Sequence, residues 1–165
     1  MNKLFFVCIY LFSVLSLYSQ NIQQSMIEIN YYFGLRIPYH HMSIKMEYNH
    51  SEERYEMEVK TEPMQGETGF EYSRTDNIFI IDKNYFESIY NKISKIDYKD
   101  ILIKNVDFDG LDGYSVDLKF GGFMNNLTVS LWSPSYNESE RGLKELNDII
   151  KELFIMAGLI EFYND

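Results

Sequence analysis

The sequence predicts an α+β fold, a curved antiparallel sheet built from hairpins with two helices packed on one face. Segments with strand character outnumber helical segments and come in adjacent pairs, in the order strands, helix, strands, helix. In addition, 45% of the 165 residues are hydrophobic, which is enough apolar material for one domain with a sizeable core. We expect this single α+β domain to span residues 20–165.

Residues 1–19 have the pattern of a secretory signal peptide. Lys3 supplies a positive charge, residues 4–17 are almost wholly apolar, and the small Ser19 is followed by polar residues. Cleavage after Ser19 would yield a periplasmic or secreted protein that has no stable membrane anchor. Because Cys8 is the single cysteine, the mature chain would contain no disulfide bond and would depend on its core for stability.

Alternation with a period of two predicts the first strands. Residues 26–33 form one candidate strand. Residues 42–48 and 54–60 alternate apolar with polar side chains on either side of a polar turn. This pattern indicates an antiparallel hairpin with one face toward water.

Two short strands and a helix are expected next. The strands are predicted at residues 68–74 and 78–81, with a turn at residues 76–77. Asp82 suits the N-cap of the first helix. The apolar face of that helix consists of residues at helical spacing, namely Phe86, Ile89, Tyr90 and Ile93. A further strand is expected around residues 101–108.

The second hairpin is the clearest local signal in the chain. Residues 114–120 and 127–131 alternate apolar and polar side chains around a turn at residues 121–122, which are both glycine. The apolar phase of its second strand consists of Leu127, Val129 and Leu131. Trp132 therefore falls on the opposite, polar phase.

The second helix is expected to have Asn137 as its N-cap and Glu140 in the capping-box position. Gly158 suits the position after the C-cap. The apolar stripe of this helix consists of Leu143, Leu146, Ile150 and Leu153. Residues 159–165 are expected to dock as a short strand or to fray.

Trp132, Tyr136 and Arg141 form the candidate binding site. Tyr136 and Arg141 follow Trp132 closely along the chain, so the three side chains are expected to cluster where the strand meets the second helix. These residue types are enriched at binding hot spots. In the alternative arrangement, the helix folds over the strand end and Trp132 fills the junction with Arg141 stacked on it.

Charge and motifs exclude several functions. Lysine and arginine number 15 and aspartate and glutamate 25, a formal net charge of −10. This balance argues against nucleic acid as a partner and is compatible with a basic partner. The mature chain contains no Gly-x-Ser-x-Gly elbow and no His-Glu-x-x-His motif. The acidic run at residues 107–113 does not match a calcium loop, because Leu111 and Leu118 occupy ligand positions. We therefore expect no catalytic residue, no metal ion and no cofactor.

The leading expectation for the function is an exported, non-enzymatic binding or accessory protein, whose partner is a protein or a small exported ligand. One alternative is a periplasmic immunity or inhibitor protein whose acidic surface covers a basic toxin or enzyme. Another is a small hydrolase that acts through two carboxylates. The 25 acidic residues allow many such pairs, and the sequence does not tell which pair faces a cleft.

Overall fold

Six antiparallel strands form one open sheet in the part of the chain that the structure describes. This computed structural model describes residues 25–33, 39–63, 75–106, 113–122 and 125–163. The strands are β1 (Ser25–Phe33), β2 (Tyr39–Asn49), β3 (Arg54–Pro63), β4 (Thr75–Ile81), β5 (Tyr114–Gly122) and β6 (Asn126–Trp132). Their order across the sheet is β4-β3-β2-β1-β5-β6, so β4 and β6 are the edge strands.

The helices of the described residues are α1 (Lys83–Ser94), α2 (Tyr98–Asn105), α3 (Lys144–Met156) and a short 3₁₀ helix (Ile160–Phe162). Asp82 caps α1 as predicted, because its Oδ1 accepts a hydrogen bond from the backbone N–H of Asn84 at 2.7 Å. Gly158 follows the C-cap of α3 with a φ of 71°. Among these helices, none combines the length and the apolar character of a membrane span.

The core lies between one face of the sheet and the helices. Alternate residues of the central strands are buried, such as Ile27 and Ile29 of β1, while the residues between them stay half-buried or exposed. The helices complete the same cluster with Phe86, Ile89, Ile93, Leu146, Ile150, Leu153 and Phe154. The predicted α+β fold, with helices packed on an antiparallel sheet, is therefore confirmed.

The predicted strand at residues 101–108 is wrong, because α2 occupies most of this segment. Asp97 provides the N-cap of α2, and its Oδ1 accepts a hydrogen bond from the backbone N–H of Asp100 at 3.1 Å. Ile101 is buried within the first turns of the helix. The short apolar run at residues 101–103 fits a strand and a short helix equally well, and the cap decides between them.

The second predicted helix begins later than its sequence pattern indicates. α3 starts at Lys144 with Leu143 at the N-cap position, whereas Asn137 lies in the preceding loop of residues 133–142. Asn137 has a φ of 50° and Gly142 a φ of 70°, and neither conformation continues a right-handed helix. The prediction that Asn137 caps this helix is therefore wrong.

Smaller predictions differ from the structure or fall outside the described residues. Residues 76–77 pair within β4 instead of forming a turn, and residues 121–122 end β5. The tail forms the 3₁₀ helix, where a short strand or a frayed end was expected. The predicted strand at residues 68–74, most of the acidic run at residues 107–112 and the signal peptide at residues 1–19 lie outside the described residues.

Candidate binding surface

A row of side chains crosses the face of the sheet that is opposite to the helices. The strand register aligns one residue from each of five neighbouring strands, namely Glu62 (β3), His41 (β2), Tyr32 (β1), Ser115 (β5) and Trp132 (β6). Directly paired residues of neighbouring strands carry their side chains on the same face. We call these five residues the aromatic row, and the face on which they lie the open face.

Tyr32 presents its ring to solvent at the centre of the aromatic row. Its side chain is 40% exposed, whereas its neighbours in β1, Tyr31 and Phe33, are buried on the core face. The Tyr32 ring stacks on the imidazole of His41, with 4.6 Å between ring centroids and 11° between ring planes. The stack restricts both side chains, so a partner that covers them would immobilise little further rotamer freedom.

A chain of polar side chains orients His41. The Nδ2 of Asn30 donates a hydrogen bond to Glu28 Oε1 at 3.1 Å, which turns the amide oxygen of Asn30 toward His41. The Nε2–H of His41 donates to this oxygen at 3.3 Å. The Nδ1 of His41 lies 3.6 Å from the carboxylate of Glu62. His41 is thus fixed from both sides, and with it the Tyr32 ring that it supports.

Trp132 lies at the β6 end of the aromatic row, on the phase that the alternation predicts. Its side chain is half-buried, whereas Leu131 before it is buried in the core. The indole covers Gly113, where an added Cβ would lie 3.0 Å from the Trp132 Nε1. Gly113 has a φ of 141°, a conformation that glycine adopts at no steric cost. Gly113 therefore provides both the turn into β5 and the surface against which Trp132 packs.

Arg141 organises the loop of residues 133–142 beside Trp132. Its side chain is only 1% exposed, and its Nε donates to the Oδ1 of Asn105 at 2.5 Å. The guanidinium also donates to three backbone carbonyl oxygens, those of Ser133 (2.7 Å), Trp132 (2.8 Å) and Tyr136 (2.9 Å). Burial lowers the pKa of Arg141 below its ordinary value, but the guanidinium stays charged at neutral pH.

The loop of residues 133–142 is held in a conformation that non-glycine residues rarely adopt. Ser133 has a φ of 36° and Asn137 a φ of 50°, and each such residue costs about 1–3 kcal/mol. Strain of this kind persists only where surrounding contacts enforce it, and it is frequent at functional sites. The loop exposes Tyr136 at 57%, with its ring centroid 6.3 Å from that of Trp132.

The structure thus brings together Trp132, Tyr136 and Arg141, the three residues predicted from the sequence to form the site. Tyr136 presents its ring at the surface and Trp132 is half-buried, whereas the guanidinium of Arg141 points toward loop carbonyl oxygens and acts as a positioning group. Tyr32 and His41 were not predicted as site residues from the sequence. A signal for Tyr32 was present, because the buried alternate residues Ile27, Ile29 and Tyr31 set the core phase of β1 and leave Tyr32 on the other.

Carboxylates surround Tyr32. Burial raises the pKa of Tyr32 above its ordinary value, and the negative charges of Asp117, Glu28 and Glu62 raise it further. Elsewhere on the open face, acidic and basic side chains are joined in ion pairs, namely Lys45–Glu47 (2.7 Å), Lys60–Glu58 (2.6 Å) and Arg54–Glu56 (2.7 Å). The carboxylates near Tyr32 therefore make its surroundings electrostatically negative.

A cleft of about 290 Å³ beside the same loop contains two carboxylates, those of Glu138 and Asp148. Glu138 accepts a hydrogen bond from the Nδ2 of Asn147 at 2.8 Å, and Asn147 also donates to the carbonyl oxygen of Pro134 at 2.8 Å. The Glu138 carboxylate therefore ties the loop to α3. Within the described residues, no three histidine, cysteine, aspartate or glutamate side chains are grouped as a metal site would require.

Comparison with known protein families finds no model that matches the sequence, and no curated protein matches it significantly.

Proposed function

We propose that this chain is an exported, non-enzymatic binding protein that contacts its partner through the aromatic row and Tyr136. One observation carries the proposal, which is that Tyr32 and Trp132 lie on the face of the sheet opposite to the core. Their rings contribute little to core packing there. Tyrosine and tryptophan supply large contact areas at low entropic cost, which is why they act as anchors at recognition surfaces.

The surroundings of these rings support the same function. Recognition surfaces combine rigid aromatic anchors with a polar rim. The anchors here are held by the His41 stack and by the loop that Arg141 organises. The polar side chains of Glu62, Ser115 and Asp117 lie within or beside the row. Export is supported by the signal-like pattern of residues 1–19.

An inhibitor or immunity protein is a second candidate, because the carboxylates beside Tyr32 suit a basic enzyme or toxin. The hydrolase alternative has less support. Of the two carboxylates in the cleft beside the 133–142 loop, Glu138 already accepts a hydrogen bond from Asn147.

The test is capture of the partner from periplasmic extract and culture medium on the immobilised protein. Tyr32→Ala and Tyr136→Ala are each expected to weaken capture about 30-fold, because truncation of a hot-spot residue costs about 2 kcal/mol or more. Phe79→Ala is the matched control. Phe79 is an aromatic residue of nearly the same exposure, 39%, on the edge strand β4.

Binding that is retained by the Phe79→Ala variant and lost in the two tyrosine variants would support the proposal. A partner that binds wild type and all three variants with equal affinity would contradict it. Thermal unfolding of each variant shows whether the folded state survives the substitution.

A further inference from the structure

Carboxylates lie within and beside the aromatic row on the open face. Glu28, Glu62 and Asp117 act on Tyr32 from β1, β3 and β5, so the carboxylates approach this ring from both sides. Asp117 lies two residues along β5 from Ser115, on the same face, about 7 Å from it. In the register, Asp117 is flanked by Asn30 and Ser130.

The basic side chains near this region leave the row acidic. Lys60 is paired with Glu58 at 2.6 Å, and Lys45, which is opposite Glu28 in the register, is paired with Glu47 at 2.7 Å. Lys119 lies beyond Asp117 on β5 and is opposite Glu28 in the register. Arg141 directs its guanidinium into the loop carbonyl oxygens. The aromatic row therefore suits a positively charged group that a binding partner supplies.

The row also has the shape for a long cationic side chain. Tyr32 and Trp132 stand on either side of Ser115, two strand spacings apart, which is about 9–10 Å between backbones. The small Ser115 side chain leaves space between the two rings. A cation above this position is within reach of both rings, and attraction to the faces of tryptophan and tyrosine is favourable.

We propose that the aromatic row binds an arginine side chain from a basic protein segment, with the guanidinium between Tyr32 and Trp132 and hydrogen-bonded to Asp117. This inference rests on the binding function proposed above. Arginine is favoured because its planar fork pairs with a carboxylate through two hydrogen bonds while it stacks on aromatic rings. The net charge of −10 would also accelerate the encounter with a basic partner at low salt.

Trp132 reports on this contact directly, because it is the only tryptophan of the chain. The experiment titrates the intact protein with nona-arginine and follows Trp132 fluorescence, with nona-glutamine as the neutral probe. Nona-arginine is expected to produce a saturable change that weakens as salt is added. Asp117→Asn is expected to weaken binding about tenfold or more, as loss of a hydrogen bond to a charged group does.

Asp76→Asn is the matched control for Asp117→Asn. Asp76 lies on the same face in β4, four strands away from Asp117. Its replacement by asparagine removes the same charge as Asp117→Asn does. Equal weakening in both variants would overturn the inference, because attraction would then depend on total charge alone. An equal response to nona-glutamine, or no saturable response to nona-arginine, would also overturn it. In either case, loss of the natural partner in the Tyr32→Ala and Tyr136→Ala variants would still support the binding function.

Discussion

Arg141 shows how a buried cation supports an exposed surface. Its guanidinium satisfies the carbonyl oxygens of Trp132, Ser133 and Tyr136, which lie at and beyond the end of β6. These carbonyl oxygens would otherwise be desolvated without a partner, which is unfavourable. Arg141 thereby couples the stability of the loop to the position of Tyr136, the most exposed ring of the candidate surface.

Arg141→Lys is expected to lower the free energy of unfolding by about 2–4 kcal/mol. A lysine ammonium does not reproduce the planar fork, and each buried carbonyl left unpaired costs about 1–3 kcal/mol. Urea unfolding followed by Trp132 fluorescence measures the effect. Lys144→Met alters an exposed cation at the start of α3, and it is expected to change stability by less than about 0.5 kcal/mol. Equal effects at both positions would show that the fork is dispensable.

At the scale of the elements, one side chain caps the N-terminus of α2. Asp97 holds the first turn through the backbone N–H of Asp100. Asn105 at the other end of this helix donates from Nδ2 to the carbonyl oxygen of Arg141 at 3.2 Å and accepts from the Arg141 Nε. The helix is therefore capped by Asp97 at one end and hydrogen-bonded at the other end to Arg141, which organises the loop that carries Tyr136.

Asp97→Ala is expected to reduce the free energy of unfolding by about 1 kcal/mol, the usual consequence of losing an N-cap side chain. Lys99→Ala changes an exposed residue of the same turn and is expected to have an effect of less than about 0.5 kcal/mol. Urea titration of both variants makes the comparison. If Asp97→Ala left the free energy of unfolding unchanged, packing alone would determine the helical state of α2.

The packing of α3 against the core is tested by substitutions at two neighbouring residues of this helix. Leu146 is 1% exposed and packs in the core, whereas Glu145 beside it is exposed. Leu146→Ala is expected to cost about 2–5 kcal/mol, as large-to-small core substitutions do. Glu145→Ala is expected to stay within about 0.5 kcal/mol. Similar losses at these two positions in chemical unfolding would be incompatible with the observed docking.

For the molecule as a whole, buried and half-buried tyrosines lower the stability of the folded state at alkaline pH. Burial raises the pKa of Tyr85 to about 12, with a smaller contribution from the charge of Glu152. Burial also raises the pKa values of Tyr98 and Tyr163. In the unfolded chain these groups release their protons near the ordinary value of 10.0. Folding therefore retains protons that unfolding releases, and stability is present below pH 10 and falls as pH rises toward 12.

Tyr85→Phe is expected to reduce this alkaline loss without lowering stability at neutral pH. The Tyr85 hydroxyl is buried and has no hydrogen-bond partner among the described residues, so its removal leaves no donor or acceptor unpaired. Tyr98→Phe is the contrasting variant, because the Tyr98 hydroxyl donates to the carbonyl oxygen of Ile93 at 2.9 Å. That variant is expected to lose about 1 kcal/mol at neutral pH. Unfolding curves at neutral pH and between pH 10 and 12 decide whether Tyr85 contributes as expected.

The export prediction also concerns the whole molecule. Intact-mass measurement on protein from the periplasm or medium is expected to show the loss of residues 1–19. Membrane-bound protein that retains this segment would contradict the prediction.

Neighbouring residues along the chain specified the hairpins, the α+β class and the phase of Trp132. Val129 and Leu131 are buried on the core face of β6, whereas Leu127 of the same phase is 37% exposed near the start of the strand. Burial of Val129 and Leu131 places Trp132 on the opposite face. The same reasoning failed at residues 101–108 and at Asn137. There, short apolar runs and capping residues were compatible with more than one conformation.

The meeting of Tyr32 with Trp132 depends on strand order, because β5 pairs with β1 and not with β4, the strand that precedes it in the chain. No local pattern along the chain specifies that choice of neighbour. The inward direction of Arg141 likewise depends on Asn105, 36 residues away. The amino-acid pattern thus determines which side chains lie on each face of a strand, since the alternation of buried and exposed side chains is a local property. Long-range packing decides which of those faces meet and which side chain turns inward, since each buried polar group must find its partner in space.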